Sequence, residues 1–100
     1  MGVELAEEQI AKKIGVSGVL IVNVMRGGPA AKAGIRPTRR ESSGRVILGD
    51  VITAIDGKKV ESPNELFITL ENYKVGDVVI LALLRDGKTI QAKLTLEAVQ

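Results

Sequence analysis

The chain has 100 residues with no cysteine and no histidine, 45% hydrophobic and 26% charged side chains, and a formal net charge of +2. These totals fit one folded domain, residues 1–100, built around a single core, and they exclude disulfide scaffolds, thiolate metal sites, thiol catalysis and any Ser/His/Asp constellation. No apolar run approaches the roughly 18 residues of a membrane span, and the start MGVELAEEQ lacks the basic-then-apolar plan of a signal peptide, so no membrane insertion is expected.

In chain order, GVEL reads as a short first strand and AEEQIAKKIG as a short amphipathic helix. In that helix Ile10 and Ile14 lie four apart, Glu8 can pair with Lys12, and Gly15 stands where a C-terminal cap belongs. The run GVLIVNV, from Gly18 to Val24, is almost continuously β-branched or apolar, as expected of a central strand covered on both faces. PAAKAG then opens with Pro29 and closes with Gly34, and its small side chains predict a helical turn lying close against a sheet. A helix this short depends on its surroundings, because isolated helices under about 12 residues are marginal in water.

Next comes a basic loop from Ile35 to Arg45, in which Arg36, Arg39, Arg40 and Arg45 stand against Glu41 alone. VILGDVITAIDGKKV resumes strand character, bends at Gly49-Asp50 and turns at Asp56-Gly57, a strong hairpin signal. Ser62 is placed to cap the principal helix, with Pro63 at its first position and Leu66, Phe67, Leu70 and Tyr73 at helical spacing. Two last strands flank Asp86-Gly87, the second with Ile90, Ala92, Leu94 and Leu96 inward and Thr89, Gln91, Lys93 and Thr95 outward. The predicted order is β, α, β, short α, β, β, α, β, β, without internal repeats.

Chemistry-bearing groups are sparse. Ser17, Ser42, Ser43 and Ser62 occupy turn or cap positions with no histidine to activate them, and the lysines fall on solvent faces, so no catalytic residue is assigned. Asp50, Asp56, Asp77 and Asp86 each adjoin a glycine, which is turn chemistry, and their spacing matches no calcium loop; neither a metal nor a cofactor is expected. The arginine loop could meet phosphate, but 2% aromatic content offers no platform for stacked bases, so no nucleic-acid partner is expected and the loop reads as a solvated connection or a protein contact. If the GVEL strand lies beside the principal helix, a cleft forms in which an extended peptide could add as a strand. The plainer reading is that Phe67 and Leu70 are core.

As a set, GVLIVNVMRGGPAAKAGIR, LGDVITAIDGKKVESPNEL and KVGDVVILALLRDGK closely resemble the PDZ domain of the HtrA/Deg family of trypsin-like serine proteases. The resemblance covers nearly the whole chain. It implies an α+β, mainly β fold, a PDZ-like small β-sandwich or partly open barrel capped by two helices in the bacterial, circularly permuted arrangement. The basic insertion from Arg36 to Arg45 is similar to that of the plant and cyanobacterial Deg branch.

The family's carboxylate-binding loop ends in a Gly-Ile/Val pair, which Gly2-Val3 matches with only Met1 before it, and its pairing strand continues through Glu4 and Leu5. Pro63, Phe67 and Leu70 match groove-lining positions on the facing helix. The resemblance therefore implies a non-enzymatic module that takes C-terminal or unfolded peptide segments by strand addition for a protease domain in the parent chain. It further implies a role in protein quality control and a periplasmic or thylakoid-lumenal parent. Two alternatives stand beside it: an assembly or regulatory domain that docks on the protease domain or a neighbouring subunit through Arg36, Arg39, Arg40 and Arg45, and a PDZ domain from another protease class.

Overall fold

The computed structural model describes residues 2–97; Met1 lies outside them. Strand β1 (Val3–Leu5) leads through helix α1 (Glu8–Lys13) to β2 (Val19–Val24), helix α2 (Pro29–Lys32) and a small hairpin of β3 (Arg39–Arg40) and β4 (Val46–Ile47). There follow β5 (Val51–Ile55), β6 (Lys58–Lys59), helix α3 (Pro63–Leu70), β7 (Val78–Arg85) and β8 (Lys88–Thr95). The main sheet runs β1-β2-β5-β7-β8, with β6 pairing β5, and β3-β4 forms a separate two-stranded sheet. This is the mainly β fold with packed helices that the resemblance implies.

Local chemistry sets the turns. At Asp56-Gly57 φ is 47° and 82°, and at Asp86-Gly87 it is 51° and 77°. Two successive positive values give the tight hairpin whose twist matches antiparallel strands. Ser62 caps α3 by accepting from the Glu65 N–H at 3.2 Å, the Glu65 carboxylate accepts from the Glu61 N–H at 2.8 Å, and Pro63 takes the first position. The far side of α3 is pinned by Tyr73, whose hydroxyl donates to Asp56 Oδ2 at 2.7 Å while the Ile80 N–H donates to Oδ1 at 2.7 Å. The Tyr73 bond holds the Asp56 carboxyl below the ordinary carboxylate range and the phenol above its own.

One core holds the sheet and α3 together. Ile21, Ile52, Ile55, Leu66, Leu81, Leu83 and Leu94 are fully buried in it, each worth about 1.5–3 kcal/mol of burial. β8 alternates as its sequence requires, with Leu94 inward and Lys93 and Thr95 exposed. A smaller cluster of Ala6, Leu20 and Val51 lies apart from this core, which is why β2 is covered on both faces at Val19–Ile21.

Helix α1 departs from its expected face. Ala11 is the residue it buries, whereas Ile10 and Ile14 are 51% and 48% exposed. At about 100° per residue the two isoleucines sit together to one side of Ala11, so a helix docked through a small alanine leaves them flanking the contact. The Glu8–Lys12 pair forms as spaced, at 2.9 Å.

A second departure concerns Asp50. Turn chemistry is only part of its role: its carboxylate is 1% exposed and takes both arms of Arg85, Nε to Oδ1 at 2.8 Å and Nη2 to Oδ2 at 2.6 Å. The Arg36 N–H adds a third bond to Oδ2 at 2.9 Å, and Arg85 Nη2 also donates to the Gly34 carbonyl at 2.8 Å. Next to it, Gly49 is required by space, because a Cβ there would lie 2.5 Å from Pro37 C and Thr38 N. The arginine loop thus passes directly over the start of β5. Burial pushes the Asp50 carboxyl up, but the Arg85 and Arg36 hydrogen bonds outweigh it and hold the group below the ordinary range.

Removing one partner of such a pair strands the other, so Asp50→Asn is expected to cost about 3 kcal/mol in urea unfolding; a loss under about 0.5 kcal/mol would contradict this assignment. Because the folded-state pKa is depressed, the native state binds fewer protons than the unfolded chain, whose Asp titrates near about 3.9. Stability from this group is complete above about pH 4 and falls as pH drops through the folded-state value. Unfolding followed from pH 6 to pH 2 should show that slope, and Asp50→Asn should reduce it, leaving the part contributed by Asp56, which is also held below the ordinary range.

Candidate functional site

β1 is the first strand of the sheet order, and among the described residues no strand pairs with its outer side. Its inner side pairs antiparallel with β2, Val3 opposite Val24 and Glu4 opposite Asn23, with an irregularity between Glu4 and Leu5. The direction of the free groups follows from two bonds at its ends. The Gly2 carbonyl accepts from the Met25 N–H at 2.8 Å, and the Ala6 N–H donates to the Leu20 carbonyl at 3.0 Å. In a trans peptide unit C=O and N–H point oppositely, so the Val3 N–H and the Leu5 carbonyl point outward, away from β2. A donor and an acceptor therefore lie along an open edge.

The sequence-derived residues occupy this region as follows. Gly2 has φ +74°, and a Cβ there would come within 3.3 Å of Pro29 Cδ, so a glycine lets the strand start close over α2. Val3 and Leu5 are half-buried and pack on the main core, while Glu4 is exposed and accepts from Asn23 Nδ2 at 3.4 Å. On α3, Leu66 is fully buried, Leu70 is half-buried on the same core, Pro63 is half-buried and Phe67 is 57% exposed. Phe67 is thus a surface aromatic rather than a core one. β1 and α3 share one core cluster, and the open edge and the exposed phenyl belong to the two elements that border it.

Of the arginines, the four of the loop, Arg36, Arg39, Arg40 and Arg45, are exposed. Arg36 contributes its backbone N–H to Asp50 and reaches Asp86 with its guanidinium at 4.0 Å. Arg39 and Arg40 form β3, opposite Ile47 and Val46, and the Arg45 carbonyl accepts from the Glu41 N–H at 2.8 Å. The loop therefore folds back as a hairpin arm, a pairing its polar sequence did not announce. Arg36, Arg39 and Arg85 meet around one cavity of about 370 Å³, and Arg45 lines another.

Two features escaped sequence reasoning. The Asp50–Arg85 pair spans 35 positions, and no local pattern announces it. A groove of about 630 Å³ between α1 and the hairpin, lined by Ile10, Ile14, Val46 and Leu48, follows from the exposed isoleucines of α1; its only trace in sequence is the alternation of Val46 and Leu48. Among the described residues no group of three or more His, Cys, Asp or Glu side chains could hold a metal ion.

Comparison with known proteins places these elements in a family. A PDZ domain family model matches residues 1–96. The chain is 40% identical over 97 residues to Protease Do-like 1, chloroplastic, of Arabidopsis thaliana, covering 97% of this chain and 22% of that protein. It is 36% identical over 100 residues to the Periplasmic serine endoprotease DegP of Escherichia coli strain K12, covering 97% of this chain and 19% of that protein. It therefore spans about a fifth of the length of these relatives. Among solved structures, the HtrA-type protease AlgW with decapeptide superposes with a TM-score of 0.74 at 23% identity, over 99% of this chain and 29% of that one, a likeness of fold. The chain belongs to the PDZ domain family, and within it stands with the domains of HtrA/Deg serine proteases.

Proposed function

We propose that this domain captures extended peptide segments, above all free C-termini ending in an apolar residue, by adding them as a strand to the outer edge of β1 beside α3. Carrying the reading is the open edge itself: the Val3 N–H and Leu5 carbonyl point outward from a strand that shares its core with α3. Main-chain bonds along that edge supply affinity, and pockets for alternate side chains supply selectivity. Gly2 and Val3 hold the carboxylate end through backbone N–H groups, Glu4 and Leu5 carry the pairing further, and Pro63, Phe67 and Leu70 form the opposite wall. Support comes from the AlgW structures, solved with a decapeptide and a tripeptide at TM-scores of 0.74 and 0.67.

In this reading the domain performs no chemistry. It delivers misfolded or cleaved segments to the protease domain of a parent chain engaged in protein quality control, in the periplasm or the thylakoid lumen. Relatives named periplasmic and chloroplastic support those compartments. Main-chain pairing and one or two pockets correspond to about micromolar affinity or weaker.

The test is an NMR titration with a short peptide ending in an apolar residue and with the same peptide amidated. Shifts are expected at Gly2 to Leu5 and along Pro63 to Leu70, reduced by amidation. Phe67→Asp should weaken binding at least about tenfold while leaving urea stability within about 0.5 kcal/mol, since the side chain is 57% exposed. Unchanged affinity in a folded Phe67→Asp domain would remove α3 from the site.

A further inference from the structure

Strand β1 presents its main-chain groups in alternation. The Val3 N–H and the Leu5 carbonyl point outward, and in an extended strand the N–H and C=O of one residue point to the same side. Both groups of Val3 and both of Leu5 therefore face the open edge, while those of Glu4 turn toward β2. The register skips Val22, which puts the irregularity on β2. β1 itself keeps plain alternation, with Val3 and Leu5 half-buried and Glu4 exposed between them.

A ligand whose carboxylate is held at Gly2 and Val3, where β1 begins, extends along the edge toward Leu5 and so runs antiparallel to β1. Its last residue then lies opposite Val3 and its third-last opposite Leu5, each at a position where main-chain bonds form. The penultimate residue lies opposite Glu4 in a non-hydrogen-bonded pair, where Cα atoms approach to about 4.5 Å rather than about 5.5 Å and side chains are closest. Opposed residues share a face of the sheet. The last and third-last side chains accordingly turn with Val3 and Leu5 toward the core side, and the penultimate one turns with Glu4 to the other face.

We propose that Glu4 selects the penultimate residue of a captured C-terminus, favouring lysine or arginine there and disfavouring aspartate or glutamate. Its carboxylate is available for this: among the described residues its hydrogen-bond partner is Asn23 Nδ2 at 3.4 Å, and no cation lies within ion-pairing distance. The surroundings have the same sign, since the groove on this face is lined by Glu4 and Glu7 and by no cation. The chain as a whole carries +2, so a preference for a basic residue at one position runs against the overall charge and requires a local contact. The selection rests on capture by strand addition and adds to it a side-chain preference that main-chain bonds alone do not set.

The test compares four peptides with the same free apolar C-terminus in an alanine background: alanine, lysine or glutamate as the penultimate residue, and lysine moved to the third-last position. Kd is read from the Val3 amide shift at low ionic strength. Penultimate lysine is expected to bind about threefold more tightly than alanine and glutamate about threefold more weakly. The moved lysine should bring no gain, and Glu4→Lys, at an exposed position, should reverse the order of lysine and glutamate. Equal Kd for the lysine and glutamate peptides, with Val3 and Phe67 shifted by both, would remove Glu4 as the selecting residue and leave strand addition standing. An equal gain from the third-last lysine would make the effect a non-local attraction and overturn the proposal as well. If no peptide shifts Val3, capture at β1 fails and the selection fails with it.

Discussion

A carboxylate with 1% of its surface exposed sits where four segments of chain meet. Asp50 takes two bonds from Arg85 at the end of β7 and one from the Arg36 N–H, Arg85 passes one on to the carbonyl that ends α2, and the Asp50 backbone carbonyl accepts from Ile21 of β2. Burying a charge is costly unless it is paired and its remaining lone pairs are satisfied. Here Arg85 stays partly exposed, at 21%, so the pair avoids the full desolvation of a deeply buried one. Specificity of arrangement is what this contact contributes most. It ties the start of the arginine loop, through the Arg36 N–H, and the Gly34 carbonyl just past α2 to the start of β5.

From that anchor the edge position of β1 follows by connectivity. β2 is held between β5 and β1, which leaves β1 at the end of the sheet with one side open. An open edge is a template for any passing strand, and natural proteins shorten, charge or cover such edges. In this domain β1 spans only Val3–Leu5, with Glu4 exposed in the middle, which limits indiscriminate pairing. α3 shares its core, held by the Ser62 cap at one end and the Tyr73–Asp56 bond at the other. Rigidity on both sides means that a ligand strand would meet elements already in place, reducing the ordering cost of binding.

Much of the fold was legible because its signals are local. Asp-Gly pairs at positions 56–57 and 86–87, the Ser62-Pro63 helix start, the Pro29 to Gly34 turn and the alternation of β8 each rest on two or three neighbouring residues. Long-range pairing was not legible. Asp50 looked like a turn aspartate because the sequence shows its glycine neighbour and not the arginine 35 positions on. Ile10 and Ile14 were the four-apart pair that marked α1 as amphipathic, yet Ala11 makes the close contact, and periodicity alone cannot tell a docked alanine from a flanking isoleucine. The β3-β4 pairing stayed hidden because both strands are two residues long and lie in a polar context. For the candidate site, the edge position of β1 is a property of topology, so the residues alone offered a cleft of GVEL and the principal helix only as a condition, and the roles of Gly2 and Val3 came through the family resemblance.

The most direct measurement is amide hydrogen exchange at Val3, with and without a peptide bearing a free apolar C-terminus. The Val3 N–H points outward from an unpaired edge, so strand addition should slow its exchange at least about tenfold while Leu20 and Ile21, already paired inside the sheet, change little. Unchanged exchange at Val3 under conditions where the peptide shifts Phe67 would show that the ligand lies against α3 without joining the sheet, and would contradict capture by strand addition.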